Sequence, residues 1–369
     1  MPRNKRLHFK DLDALKFIML LPVLLYCSML SIQPQGEGIT VEIAGASKYF
    51  ILNSIDFYFF LSAFFLASHA LREIKYKSDF SLKNFYVRRV LRISFFLVIS
   101  LVFVFLFHPW IARTLKLFEF ETPTLMPFIT GIPNYIGDLN GTQDSVLVII
   151  WGLFMFLQFY AVIGIVLKYL VDKIIWVGIA LIVAGVIARL VLIMGEADIL
   201  FNTLSYSTPI GFGLILAKLV REDNRIIGTI KGFSKTRNSI IYIILSIHLL
   251  TAYLLSPKYV FALIPLLSGL LFSFVVLEQT YGKNSLFKFR KNKTLSRLGK
   301  ISLSFLTFYG MLSIVTFIAI ESVNLDLLNV FVKIAMMLAT FILAWLFGDL
   351  CFNYIEQPIR SVKRDFKRE

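Results

Sequence analysis

Asp13-Ala-Leu-Lys16 opens the first long apolar run of this chain, and after ten intervening residues stands Cys27. Lys16 and Cys27 are therefore eleven residues apart. At about 100° per residue that is three turns, which predicts both side chains on one helix face, roughly 16 Å apart along the axis. Asp13 falls on nearly the same face. The run continues apolar to Ile32, and about 17–25 such residues are what a helix needs to cross a hydrocarbon core of about 30 Å.

Runs of this kind recur along the chain. The sequence predicts ten spans, near 15–32, 49–71, 93–112, 145–167, 174–194, 203–217, 239–255, 259–277, 301–321 and 328–352. Hydrophobic residues make up 57% of the chain and charged residues 17%, with 37 Phe alone, more apolar surface than a water-soluble domain of 369 residues needs. The expected fold is all-α, a polytopic membrane helix bundle in one domain over 1–369. The first span does not read as a cleavable signal peptide, because a polar stretch precedes it, no small-residue cleavage site follows and nine more spans come after. No appended soluble domain is expected beyond the last span.

The net charge of +15 raises the question of nucleic acid. Its distribution argues against that partner. Alternate connections hold 32 of the 38 Lys and Arg: segments 1–16, 72–92, 168–173, 218–237, 278–300 and 360–368. Only Lys48, Arg113, Lys116, Arg189, Lys258 and Lys333 lie elsewhere. The positive-inside rule then places both termini in the cytoplasm, and the basic excess is a topology signal that also attracts anionic lipid headgroups. Cys27 and Cys351 lie in spans whose ends face different ways, so neither a disulfide nor a metal site is expected. There is no Gly-rich phosphate loop and no internal repeat.

The connection 72–92 holds Arg88-Arg89-Val-Leu-Arg92, in which Arg89 and Arg92 are three apart and share a helix face. One reading is a positive-inside anchor. The other is a phosphate site, since the forked guanidinium suits phosphate oxygens. Ile55-Asp56-Phe-Tyr-Phe-Phe-Leu-Ser62-Ala63 precedes it. Further on come Trp151-Gly-Leu-Phe-Met-Phe156-Leu-Gln158-Phe159-Tyr160, Pro209-Ile-Gly211-Phe-Gly213, Gly299-Lys300-Ile301-Ser302-Leu-Ser304-Phe-Leu-Thr-Phe308-Tyr309 and Tyr354-Ile355-Glu356-Gln357-Pro358.

Taken in order with the Asp13–Cys27 stretch, these phrases resemble the acyltransferase-3 family of integral membrane O-acyltransferases across nearly the whole chain. The resemblance implies a ten-helix bundle in a bacterial inner membrane. It also implies transfer of an acyl group, often acetyl, from acyl-coenzyme A to a hydroxyl of a cell-envelope or exported glycan, possessed of its own or carried on a lipid. In that family an Asp and a basic residue stand where Asp13 and Lys16 stand, and the arginines matching Arg88, Arg89 and Arg92 hold the donor's phosphates. The departures are equally specific. The family's presumed general base, a His, is replaced by Cys27; a second His by Tyr309; a Glu by Phe156 or Leu157; a Gly by Ala63; and a Pro by Phe95.

A sugar hydroxyl needs a base of suitable pKa, and His, with an ordinary value near 6.5, suits that role. A cysteine in an apolar span is expected as a neutral thiol that takes no proton. Three readings of Cys27 follow: a small buried apolar residue, a nucleophile that carries the acyl group as a thioester, or a bystander to a replacement base such as His248. Thioester chemistry needs an activated thiolate, and Lys16 is three turns away. The chain as a whole then reads as an acyltransferase with a changed site, or alternatively as a catalytically silent homologue that binds lipid, glycan or a partner protein, or as a transporter of an amphipathic solute.

Ionisable groups within spans are functional candidates by default. These are Asp56, Arg189, His248 and Asp349, with Gln158 as a polar neighbour. Asp56 and Arg189 are also candidates to pair across the bundle. Lys333 is expected to snorkel, Glu356 to serve a helix end or a basic loop, and His8, His69 and His108 to be solvated.

Overall fold

The computed structural model describes residues 12–32, 39–77, 79–115, 123–136, 145–222, 224–322 and 330–358. Among the described residues ten helical segments are long and apolar enough to cross a membrane: Asp13–Ser31, Val41–Tyr76, Leu82–Ile111, Ser145–Tyr169, Val171–Met194, Thr203–Glu222, Lys235–Leu255, Ile264–Tyr281, Ser302–Ile320 and Phe331–Glu356. They match the ten predicted spans one for one. In an apolar medium each backbone N–H and C=O must be satisfied within its own segment, and helices do this.

The first span is not one straight helix. It consists of Asp13–Ile18 and Leu21–Ile32, with a turn at Met19 and Leu20 between them. The cause is Pro22, the second residue of the later helix. Proline has no N–H to give the Ile18 carbonyl, and its ring crowds that turn. Lys16 and Cys27 therefore lie on two successive helices, a correction to the common face predicted from their spacing. The carbonyl of Lys16, at the break, accepts the hydroxyl of Tyr58 at 2.5 Å.

Two helices run well past the predicted spans. The second covers Ile39–Lys77 and the third begins at Leu82. At 1.5 Å per residue the second is about 58 Å long, so its ends project beyond a hydrocarbon core. Arg88, Arg89 and Arg92 thus lie on the third helix itself and not in a connection. Ser81 caps that helix by accepting the Asn84 N–H, which starts it some ten residues before the apolar run. Two five-residue π-helical turns occur, Phe103–Phe107 and Phe352–Glu356. Each precedes a proline, Pro109 and Pro358, whose missing N–H leaves the carbonyl four residues earlier unpaired and lets the turn widen.

The first, second, fourth, sixth, eighth and ninth spans form the interior, while the third, fifth, seventh and tenth turn most of their surface to lipid. Close approach is set by small residues. Gly213 of the sixth span packs on the Phe60 carbonyl and the Ala63 methyl of the second, with no room for a Cβ. The Ala63 methyl is thus met by a glycine on its neighbour. Gly299, in helix Lys293–Lys300, likewise lies directly against the Asp13 carbonyl. That helix braces the start of the first span.

Candidate functional site

The sequence-predicted residues fall at two levels. At the basic end of the bundle, Lys16 pairs with Asp13 at 2.9 Å, and Asp13 is buried. The Lys16 ammonium also lies 5.0 Å from the centre of the Phe65 ring. Phe65 offers its carbonyl to the imidazole of His69 at 2.6 Å, and Arg72, Arg88 and Arg89 lie within electrostatic reach of that ring. Arg88 also faces Glu73 at 3.7 Å. The Arg89 guanidinium lies 5.9 Å from the Phe85 ring and 5.6 Å from the Tyr160 ring. Arg92 is close enough to Arg89 for the two charges to repel, and its Nε is buried without a hydrogen-bond partner among the described residues. The structure thus brings Lys16, Arg88, Arg89 and Arg92 to one end and one side, with Arg72 added.

Two contacts hold this level together. Tyr86 donates to the Ala161 carbonyl at 2.8 Å, and Gly164 leaves space for the Tyr86 and Phe85 rings. Lys168, in the last turn of the fourth span, binds Asp79 just before the third, and that hydrogen bond holds the Asp79 carboxyl below the ordinary carboxylate range. Third and fourth spans are thereby fixed in register.

At the second level stand Cys27 and Tyr309, both buried. Ser28, next to Cys27, lies 2.6 Å from the Tyr309 hydroxyl and also donates to the Leu24 carbonyl at 2.9 Å. The Cys27 thiol faces the Ser145 carbonyl at 4.0 Å. Around it three serines from three spans form a triangle: Ser31 donates to Ser145 at 3.1 Å and to Ser313 at 3.0 Å, and Ser145 and Ser313 are 2.8 Å apart. Ser145 and Ser313 both reach the Gly310 carbonyl, at 3.0 and 2.8 Å. Cys27 and Tyr309 therefore meet in space, in a cluster of a thiol, serine hydroxyls and a phenol. Tyr58, Phe65, Ser28, Ser31, Ser145 and Ser313 went unmarked in the sequence. Serine, tyrosine and phenylalanine are common in membrane helices, and nothing in their spacing shows which of them meet.

The remaining candidates lie apart from both levels. Asp56 and Arg189 form a fully buried ion pair at 2.6 Å. Arg189 also donates to the Tyr253 hydroxyl at 2.5 Å and the Ser205 carbonyl at 2.8 Å, and stacks over Tyr206 at 5.5 Å. Phe156 stacks on Phe59 at 4.6 Å, and Phe59 stacks on Tyr206 at 5.0 Å. Gln158 donates to the Gly131 carbonyl at 2.9 Å and to Asn134 at 2.8 Å, and accepts from Thr203 at 2.6 Å. It pins the segment Met126–Ile136 against the bundle.

His248 bonds Ser268 at 2.8 Å between the seventh and eighth spans. The seventh span packs on the second and eighth, and Cys27's helix packs on the second, fourth and ninth. Asp349 is bound by Arg297 at 2.6 Å. Glu356 is buried in the second π-helical turn. His108, expected to be solvated, is 3% exposed, and Lys333, expected to snorkel, is 7% exposed. His69 is exposed as expected, and His8 lies outside the described residues. Among the described residues no three His, Cys, Asp or Glu are grouped to hold a metal ion.

Compared with known proteins, the model of the acyltransferase-3 family, described as an acyltransferase domain, matches residues 9–349. No curated protein and no solved structure matches the chain.

Proposed function

The chain belongs to the acyltransferase-3 family, and we propose that it transfers an acyl group of the acetyl type from acyl-coenzyme A to a hydroxyl of a cell-envelope or exported glycan, free or lipid-linked. In this reading the basic end faces the cytoplasm of a bacterial inner membrane, and the opposite end meets the acceptor. The observation that carries it is the grouping of Lys16, Arg88, Arg89 and Arg92 at one end of the bundle, with Lys16 over the ring of Phe65 and Arg89 over those of Phe85 and Tyr160. Four cations on two spans suit the three phosphates of coenzyme A, which guanidinium forks bind in pairs of hydrogen bonds.

The acceptor oxygen attacks the thioester carbonyl carbon. A C–O bond forms, the C–S bond breaks, and the acceptor's proton ends on the coenzyme A sulfur. In the proposed site, Tyr309 and Ser28 offer a pair of hydroxyls at the level of Cys27 through which that proton passes. The neutral thiol of Cys27 fills space. Lys16 lies beyond the break at Met19 and Leu20 and gives the thiol no cation to activate it.

A second reading has its own observation. Cys27 is fully buried and its neighbours' hydroxyls are bonded to one another, an arrangement that suits a catalytically silent homologue which binds the donor, lipid, glycan or a partner protein. The deciding experiment is turnover of acetyl-coenzyme A by the purified protein in nanodiscs. Release of free coenzyme A well above a protein-free control supports the transferase. Tight binding without release supports the silent reading.

A further inference from the structure

We infer that Tyr160 is a positioning residue for the donor, acting through Arg89. The inference rests on the donor-binding reading of the basic end. Among the described residues no carboxylate pairs with Arg89, although Lys16 and Arg88 each have one, Asp13 and Glu73. Arg89 is instead held between two aromatic faces, Phe85 one turn back on its own helix and Tyr160 on the fourth span. A ring face attracts a cation without neutralising it. The guanidinium keeps its full charge for an anionic ligand while its plane is set by the ring.

Tyr160 is well placed to do this because its own position is fixed. Its ring packs on Phe156 at 6.1 Å and Phe159 at 5.4 Å. The next residue, Ala161, receives the Tyr86 hydroxyl, and Tyr86 lies three residues before Arg89 on the third span. The interhelical contact that sets the register thus stands beside the cation–ring contact. Arg88 and Arg92 flank Arg89 and repel it, so a charge left without the ring would swing away from its neighbours. With the ring, three like charges are kept close enough to grip one polyphosphate ligand.

Binding of coenzyme A to the full-length protein in nanodiscs tests this. Tyr160→Leu should weaken binding about tenfold, the size of a partly desolvated cation–ring contact, and Tyr160→Phe should bind like the parent protein. In an Arg89→Ala background, Tyr160→Leu should have no further effect. Fluorinated phenylalanines at position 160 keep the ring's shape and thin its electron-rich face. Affinity should fall with each added fluorine, which a merely structural ring would not produce, and this series also serves if Tyr160→Leu does not fold. Fluorine-independent affinity, or an equal loss from Tyr160→Leu with and without Arg89, overturns the inference while leaving donor binding intact. Failure of the parent protein to bind coenzyme A, or unchanged affinity in Arg89→Ala with Arg92→Ala, overturns the donor reading and this inference with it.

Discussion

The hydroxyl of Ser28 on the first span lies 2.6 Å from the hydroxyl of Tyr309 on the ninth. It joins the neighbourhood of Cys27 to Tyr309 across the two spans. Ser28 keeps a second bond, to the Leu24 carbonyl, and the Tyr309 ring stacks on Phe305 at 6.0 Å. Tyr309→Phe should therefore cost little stability, about 1 kcal/mol or less, the usual net worth of one hydrogen bond. Under the transferase reading it should lower turnover at least tenfold with little change in coenzyme A affinity. Thermal denaturation and steady-state kinetics on the same preparation check this, and unchanged turnover would remove Tyr309 from the reaction.

Cys27 should carry no acyl group. Intact-mass analysis after incubation with acetyl-coenzyme A should show no adduct, and Cys27→Ala should keep turnover within about twofold, because the buried thiol faces the Ser145 carbonyl and lies across the break at Met19 and Leu20 from Lys16. Loss of turnover in Cys27→Ala together with an adduct on the parent protein would establish the thioester route instead. If the chain is a silent homologue, Cys27→His should gain measurable turnover by returning a group that accepts a proton near neutral pH.

The Asp56–Arg189 pair should be the most costly single contact to break. Both side chains are 0% exposed. Asp56→Ala leaves a buried guanidinium with a phenol, a carbonyl and a ring but no counter-charge, and removing one partner of such a pair destabilises by about 3–5 kcal/mol. The double change Asp56→Ala with Arg189→Met should recover a large part of that loss. Melting temperatures in detergent report both, and a double variant no better than the single would show that the pair is not a coupled unit.

Both ends of the chain should be cytoplasmic. Single cysteines placed in 285–295, in a Cys-free background, should react with an impermeant maleimide only after the membrane is opened. Labelling in intact cells would reverse the orientation and with it the side from which the donor arrives.

Ten spans were legible in the sequence because a helix in an apolar medium satisfies its backbone locally, so length and apolarity decide it. The break at Met19 and Leu20 was also legible in principle, through Pro22, as were both π-helical turns through Pro109 and Pro358. A one-helix reading of the first span missed this because the apolar pattern runs through the break. The family resemblance rested on phrases such as Asp13–Lys16 and Arg88–Arg92, and these fixed the candidates' identities but not their neighbours. That Arg89 meets Tyr160, that Ser28 meets Tyr309, and that Ser31, Ser145 and Ser313 meet one another was decided only by tertiary packing. Each such contact joins residues on different spans, and its formation depends on how far glycines such as Gly164 and Gly310 let those spans approach, a relation between helices that no single run of sequence contains.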